Sequence, residues 1–207
     1  MKNTGKTFRT MQIARQLAQY NRRLIVYNST NNPSYSDITD GVDVEMFVQG
    51  RWPTNGAFQV LDAGGAMFDN FLEIASRIEY NAIIIDDAGG LFNPVLTKTE
   101  RAFLGTCKNN HNDVFFQFHH FKQTPPQLMM MMDMMILKET TDPMPLPTKV
   151  RDVHIVSRLL SEIRAANDTM PSDKRWHERW LNLEENIIYY PDLHGRVLAA
   201  KHYRELI

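Results

Sequence analysis

Apolar residues recur along the chain with two distinct periods. Phe8, Met11, Ala14, Leu17 and Ala18 stand at helical spacing with polar residues between them, which predicts an amphipathic helix over residues 5–20. Leu24-Ile25-Val26-Tyr27 reads as a short buried strand, ended by the turn-forming run Asn28-Ser29-Thr30-Asn31-Asn32-Pro33-Ser34. Residues 34–57 carry no firm period, apart from a short helix or strand around Val44–Val48. Phe58–Asp62 is a second strand, closed by Ala63-Gly64-Gly65. Asp69 is placed to cap a helix running to about Tyr80, with Phe71, Leu72, Ala75 and Ile78 on its apolar face. Ala82-Ile83-Ile84-Ile85 is apolar at every position, as in a parallel strand covered on both faces.

Thr97-x-x-Glu100 is a capping-box pattern, and it opens a helix to about Lys108. Asp113–Phe118 and Met134–Lys138 are further strands, and Pro143, Pro145 and Pro147 mark a break. Val150, Val153, Val156, Leu159, Leu160 and Ile163 then define a second amphipathic helix, and Trp176 and Trp180 stand one turn apart in a short one. Ile187–Tyr190 and Val197–Ala199, joined by the turn Pro191–Gly195, form a terminal hairpin. Strands alternating with helices predict a mostly parallel α/β sheet.

Composition narrows what such a domain does. A net charge of −1 supplies no global basic field, so contact with nucleic acid must come from local patches or from oligomer geometry. Basic residues gather at Arg22-Arg23 and at Lys174-Arg175 with Arg179. Cys107 is the single cysteine, which excludes an internal disulfide and fits a reducing, intracellular compartment. No apolar stretch reaches the ~18 residues that span a bilayer, and the polar N-terminus is no signal peptide.

Candidate chemistry starts at Gly5-Lys6-Thr7. These residues match the end of the phosphate-binding loop G-x-x-x-x-G-K-[ST], in which backbone amides cradle phosphates, the lysine reaches the β- and γ-phosphates and the hydroxyl ligates Mg²⁺. Asn3 and Thr4 belong to the same loop, and the helix that follows offers its N-terminus to the anion. The strand that feeds such a loop, and its first glycine, would lie before Met1. We therefore expect a reading frame that begins upstream, because losing that strand would leave a gap at the centre of the sheet. Asp86-Asp87 ends an apolar strand, where one carboxylate can hold Mg²⁺ (Asp86) and the next can polarise the attacking water (Asp87). Gln117 ends another strand, where an amide can hydrogen-bond the γ-phosphate or that water.

The order of these elements, together with Asn109–Gln117, resembles the FtsK/HerA superfamily of ring-forming P-loop ATPases. The small size and Pro125-Pro126-Gln127-Leu128 resemble the genome-packaging ATPases of internal-membrane icosahedral viruses. Zot-like assembly ATPases of filamentous phages come second, since those carry a transmembrane helix after the ATPase region. The resemblance covers residues 1–140 and implies a RecA-like P-loop NTPase, with residues 1–148 as core and 149–207 as helices and a hairpin completing the same domain. It implies ATP and Mg²⁺ as cofactors, and DNA and capsid or portal-vertex proteins as partners. A hexameric or pentameric homo-oligomeric ring in the host cytoplasm or virion is also implied. The chain departs from the family by carrying Asp87 where Glu is usual. It also carries Lys108, with Arg101 earlier on the same helix, where an arginine acting across the subunit interface is common. A nucleotide-binding or structural module without catalysis is the remaining alternative. The adjacent His119 and His120 point to opposite faces of an extended segment, which is poor metal geometry, and the Met129–Met135 cluster suits core packing or a subunit interface.

Overall fold

The computed structural model describes residues 6–19, 22–35, 38, 40–171 and 176–206. Lys6–His119 forms one compact unit, and the chain from His120 onward forms another. The first begins with helix α1 (Lys6–Gln19) and strand β1 (Arg23–Asn28). Strand β2 (Gly41–Asp43), helix α2 (Val44–Val48), strand β3 (Ala57–Leu61) and helix α3 (Phe68–Ala75) follow. Strand β4 (Asn81–Ile85), helix α4 (Lys98–Cys107) and strand β5 (Asp113–Phe116) complete it. All five strands are parallel, in the order β2-β3-β1-β4-β5.

The continuous apolar run of β4 is explained by this position. Ile83 and Ile85 pack into one core with Phe71, Leu72 and Phe103 from α3 and α4. Ala82 and Ile84 pack into a second core with Met11 and Ala14 of α1. Every residue of β4 is buried, and each such aliphatic side chain contributes about 1.5–3 kcal/mol. The expected gap in the sheet is not found: β1 pairs directly with β4, and β4 with β5. Among the described residues β2 and β5 are the edge strands of this sheet, and all four residues of β5 are partly buried.

Three local expectations are corrected. Phe8 is 57% exposed, and Arg9 is buried beside Met11 on α1. Asp69 does not cap α3; the cap position is Met67, whose N–H donates to the Asp62 carboxylate at 2.8 Å, and the helix ends at Ala75. The capping box at Thr97 and Glu100 forms as expected.

The second unit contains helix α5 (Pro126–Met131), strand β6 (Met134–Lys138), helix α6 (Val153–Asp168) and strands β7 (Glu178–Asn182), β8 (Ile187–Pro191) and β9 (Val197–His202). Its four strands form an antiparallel sheet in chain order, so Met134–Lys138 belongs to this sheet and not to the parallel one. Val156, Leu159, Leu160 and Ile163 of α6 pack on Leu137, Leu181 and Ile188. Trp180 lies in β7 instead of a helix, its indole N–H donating to Glu178 at 2.8 Å. Glu178 also meets Lys138 at 2.7 Å, both side chains buried.

Candidate functional site

Parallel strands bring their carboxyl ends to one side of a sheet, and residues that end β1, β4 and β5 meet there. The N–H of Asp86 donates to the Tyr27 carbonyl at 3.2 Å, and the N–H of Gln117 to the Ile85 carbonyl at 3.1 Å. Ala88 N–H returns to the Gln117 carbonyl at 2.8 Å, so the acidic pair and the glutamine are stitched by backbone. Lys6, the first residue of α1, donates its ammonium to the Phe118 carbonyl at 3.1 Å. Three residues singled out from sequence, Lys6, Asp86 and Gln117, are thus gathered around the ends of β4 and β5.

Asp86 is 4% exposed. Burial disfavours its charged form and pushes the carboxyl above the usual range, opposed by hydrogen bonds from Asn32 and Tyr35. The Asn32 amide donates to Asp86 Oδ2 at 2.8 Å. Gln117 Nε2 in turn donates to the Tyr35 hydroxyl at 2.8 Å. The loop carrying Asn32 and Tyr35 is fixed by Gln59 of β3, whose Nε2 donates to the carbonyls of Tyr35 at 3.0 Å and Ile38 at 2.6 Å. Asn28 at the end of β1 donates to Gln59 Oε1 at 2.9 Å and accepts the Asn32 N–H at 3.0 Å. Neither Asn32 nor Tyr35 was singled out by sequence; the only signal was a polar turn-forming run directly after a strand.

Asp87 is left-handed, with φ 47° and ψ 46°. Aspartate adopts this region more readily than longer side chains do, a physical reason for Asp instead of Glu at this position. Its carboxylate is partly exposed and lies 3.7 Å from His119 Nε2. His120 instead meets Asp142 at 3.5 Å, so the adjacent histidines have separate carboxylate partners.

Other expected residues stand elsewhere. Arg101 is exposed on α4, and Lys108 is exposed at the C-cap directly after it. Asn3, Thr4, Gly5 and the Thr7 side chain lie outside the described residues, as do Lys174 and Arg175. Arg22 and Arg23 do not form a free basic patch: Arg22 ion-pairs with Asp113, and Arg23 donates to Asn81 at 2.7 Å. Arg179 lies 4.5 Å over the Tyr190 ring.

No family model matches the sequence, and no curated protein matches it. Solved structures do. The chain is similar to the genome packaging NTPase B204 from Sulfolobus turreted icosahedral virus 2 in complex with ATP-gammaS, with a TM-score of 0.67 and 14% identity over 90% of this chain and 91% of that one. The same protein in complex with AMP gives a TM-score of 0.66 at 14% identity, covering 91% and 92%. B204, the DNA-packaging ATPase from Sulfolobus turreted icosahedral virus, gives 0.60 at 14% identity over 89% and 90%. The chain has a P-loop NTPase fold. In that fold, a lysine at the start of α1 and a buried carboxylate at the end of β4 stand where ligands bind in open α/β sheets, beyond the carboxyl ends of the strands.

Proposed function

We propose that the protein is an ATPase whose hydrolysis drives viral DNA into a capsid. One observation carries the reading: the ammonium of Lys6, the buried carboxylate of Asp86 and the amide of Gln117 converge at the carboxyl ends of adjacent parallel strands. The similarity in fold to proteins solved with ATP-gammaS, and described as genome packaging NTPases, supports it.

The residues fit a Mg²⁺–nucleotide. Mg²⁺ takes one or two carboxylates and completes its shell with waters and phosphate oxygens. A lone buried carboxylate suits that pattern, and among the described residues no three His, Cys, Asp or Glu side chains form an all-protein cage. When bound, Mg²⁺ neutralises charge on the β- and γ-phosphates. In this proposal Asp86 and the Thr7 hydroxyl hold the cation, and Gly5 with Asn3 and Thr4 wraps the phosphates. Lys6 exchanges the Phe118 carbonyl for a phosphate oxygen. Asp87 orients the attacking water and accepts its proton as the bond to the leaving diphosphate oxygen breaks. Gln117 hydrogen-bonds the γ-phosphate or that water.

Membership of the FtsK/HerA superfamily belongs to the same proposal, as does a single domain with residues 1–148 as its core. So do a hexameric or pentameric ring, capsid or portal-vertex partners, and a place in the host cytoplasm or virion. Arg101 on α4 or Lys108 at its C-cap, both exposed, would complete a neighbour's site. No helix among the described residues is long and apolar enough to cross a membrane. Steady-state ATP hydrolysis with and without double-stranded DNA tests the reading: Mg²⁺-dependent turnover stimulated by DNA is expected, and no turnover in either condition overturns it.

A further inference from the structure

Among the described residues, those other than glycine with a left-handed backbone are Asn31, Tyr80, Asp87, His111, Asp152 and Asn186. Four are asparagine or aspartate, whose short polar side chains enter that region readily; histidine is tolerated there, and a bulky tyrosine is an outlier. Tyr80 (φ 60°) and His111 (φ 53°) stack on each other, ring centroids 5.0 Å apart and planes 16° apart. Both are exposed, Tyr80 at 59%. The fold thus holds two stacked rings in water, where neither fills a core.

Hydrogen bonds fix both loops. Tyr80 directly precedes β4, and its N–H donates to the Asn110 carbonyl at 2.9 Å. The Asn110 amide donates to the Ser76 carbonyl at 2.7 Å. Buried Asn112 donates to the Ile78 carbonyl at 2.8 Å and accepts the Asn81 N–H at 2.9 Å. Strained residues persist only where their surroundings over-determine them, and they cluster where the group they present is used. These loops enter β4 and β5 at their amino ends, away from the carboxyl ends where Lys6 and Asp86 stand. The nucleotide site therefore does not explain the pair.

The neighbouring charges decide what the pair meets. Arg77 ion-pairs with Glu73 and Arg22 with Asp113, and Arg23 donates to Asn81 at 2.7 Å. Exposed Lys108 and exposed Glu79 carry opposite charges on the two loops. A phosphate backbone calls for an excess of cations. A protein interface instead takes aromatic anchors within a balanced polar rim. We propose that Tyr80, stacked on His111, is a docking anchor for a second copy of this chain. The choice of occupant rests on the ring of the proposed function. Lys108, whose carbonyl accepts the His111 N–H at 3.1 Å, places the residue read as acting in trans on the same loop as the anchor.

The test is sedimentation velocity of the full chain over a range of concentrations, with and without Mg²⁺-ATP and duplex DNA. Tyr80→Asn removes the ring and puts a residue suited to the left-handed backbone in its place. It should weaken self-association about tenfold or more, the loss expected on truncating an aromatic anchor. Tyr80→Phe, which keeps the ring, should assemble as the parent does. Melting temperature, measured at dilutions where all forms are dissociated, should be no lower in Tyr80→Asn than in the parent. A clear fall in both Tyr80→Asn and His111→Asn at such dilutions would make the stack a fastening of the fold and overturn the proposal. Tyr80→Asn assembling as tightly as the parent also overturns it. If that variant then loses affinity for duplex DNA, the pair is a nucleic-acid contact instead. A parent that stays monomeric in every condition rejects the ring and this docking with it. A parent that assembles through Tyr80 but hydrolyses no ATP rejects the ATPase reading and leaves the interface standing.

Discussion

Asp86 carries its negative charge in a place that disfavours it. Burial raises its pKa, and a group whose folded-state pKa exceeds the unfolded value stabilises the fold only while protonated. That contribution is complete below the unfolded pKa and is lost as pH rises through the folded one, so once ionised the carboxylate weighs against folding. Asp86→Asn should therefore melt at or above the parent temperature near pH 7.5 while losing Mg²⁺-dependent turnover, about a hundredfold or more. A melting temperature well below the parent at that pH contradicts the assignment. The opposite case is Cys107, a buried thiol pushed up to about 12 and hydrogen-bonded to the Phe103 carbonyl at 2.9 Å. Its thiolate is scarce at neutral pH, so iodoacetamide should modify it only on unfolding; rapid labelling of the native chain would count against this burial.

Residues whose chemistry is local were legible. Asp86 and Gln117 each end an apolar run, and a strand end in an α/β pattern is a place where ligands bind. Asn32 and Tyr35 were not legible, because their partners lie far away in sequence and are met only once Gln59 has pinned the loop. Asp87 looked like a deficient glutamate by type alone; its left-handed backbone supplies a reason for the shorter acid.

At the level of elements, apolar period was a good guide wherever both faces of an element are covered. The run Ala82–Ile85 had to be a central parallel strand, because nothing else buries consecutive β-branched residues on alternate sides. It failed where a pair of side chains imitated another period. Trp176 and Trp180 are one helical turn apart, yet four residues also return to the same face of a strand, and Trp180 lies in β7. The methionine cluster divides in the same way: Met129 is buried at 1% exposure, whereas Met130 is 67% exposed and Met134 50%. In the antiparallel sheet the buried Lys138–Glu178 pair joins β6 to β7. Removing one partner leaves a buried charge, so Glu178→Ala should cost about 3–5 kcal/mol. Chemical denaturation checks this, and hydrogen exchange should show lost protection in β6 to β8 and retained protection in β1 and β4. A cost below about 1 kcal/mol would mean that the pair is solvated.

For the molecule as a whole, the strands of the parallel sheet among the described residues pair without a gap, β1 with β4 and β4 with β5. The expected gap reflected an order of strands taken from family resemblance; pairing is long-range and leaves no mark in any one segment. The ring belongs to the proposal and has its own check. Mixing Asp86→Asn subunits with Lys108→Ala or Arg101→Ala subunits should restore part of the ATPase activity if the basic residue serves a neighbour, since a mixed interface joins two intact halves. Rates that only average the two inactive preparations would reject a role in trans.

Lys6 bears most directly on the central claim, because it brings a positive charge from α1 to the carboxyl ends of β4 and β5. The measurement is the steady-state rate of Mg²⁺-ATP hydrolysis by the full chain and by Lys6→Ala, with melting temperature as a control for folding. Loss of about a hundredfold or more in rate, the effect of removing one charge-stabilising group, is expected with folding intact. An unchanged rate in Lys6→Ala would contradict the assignment of this site.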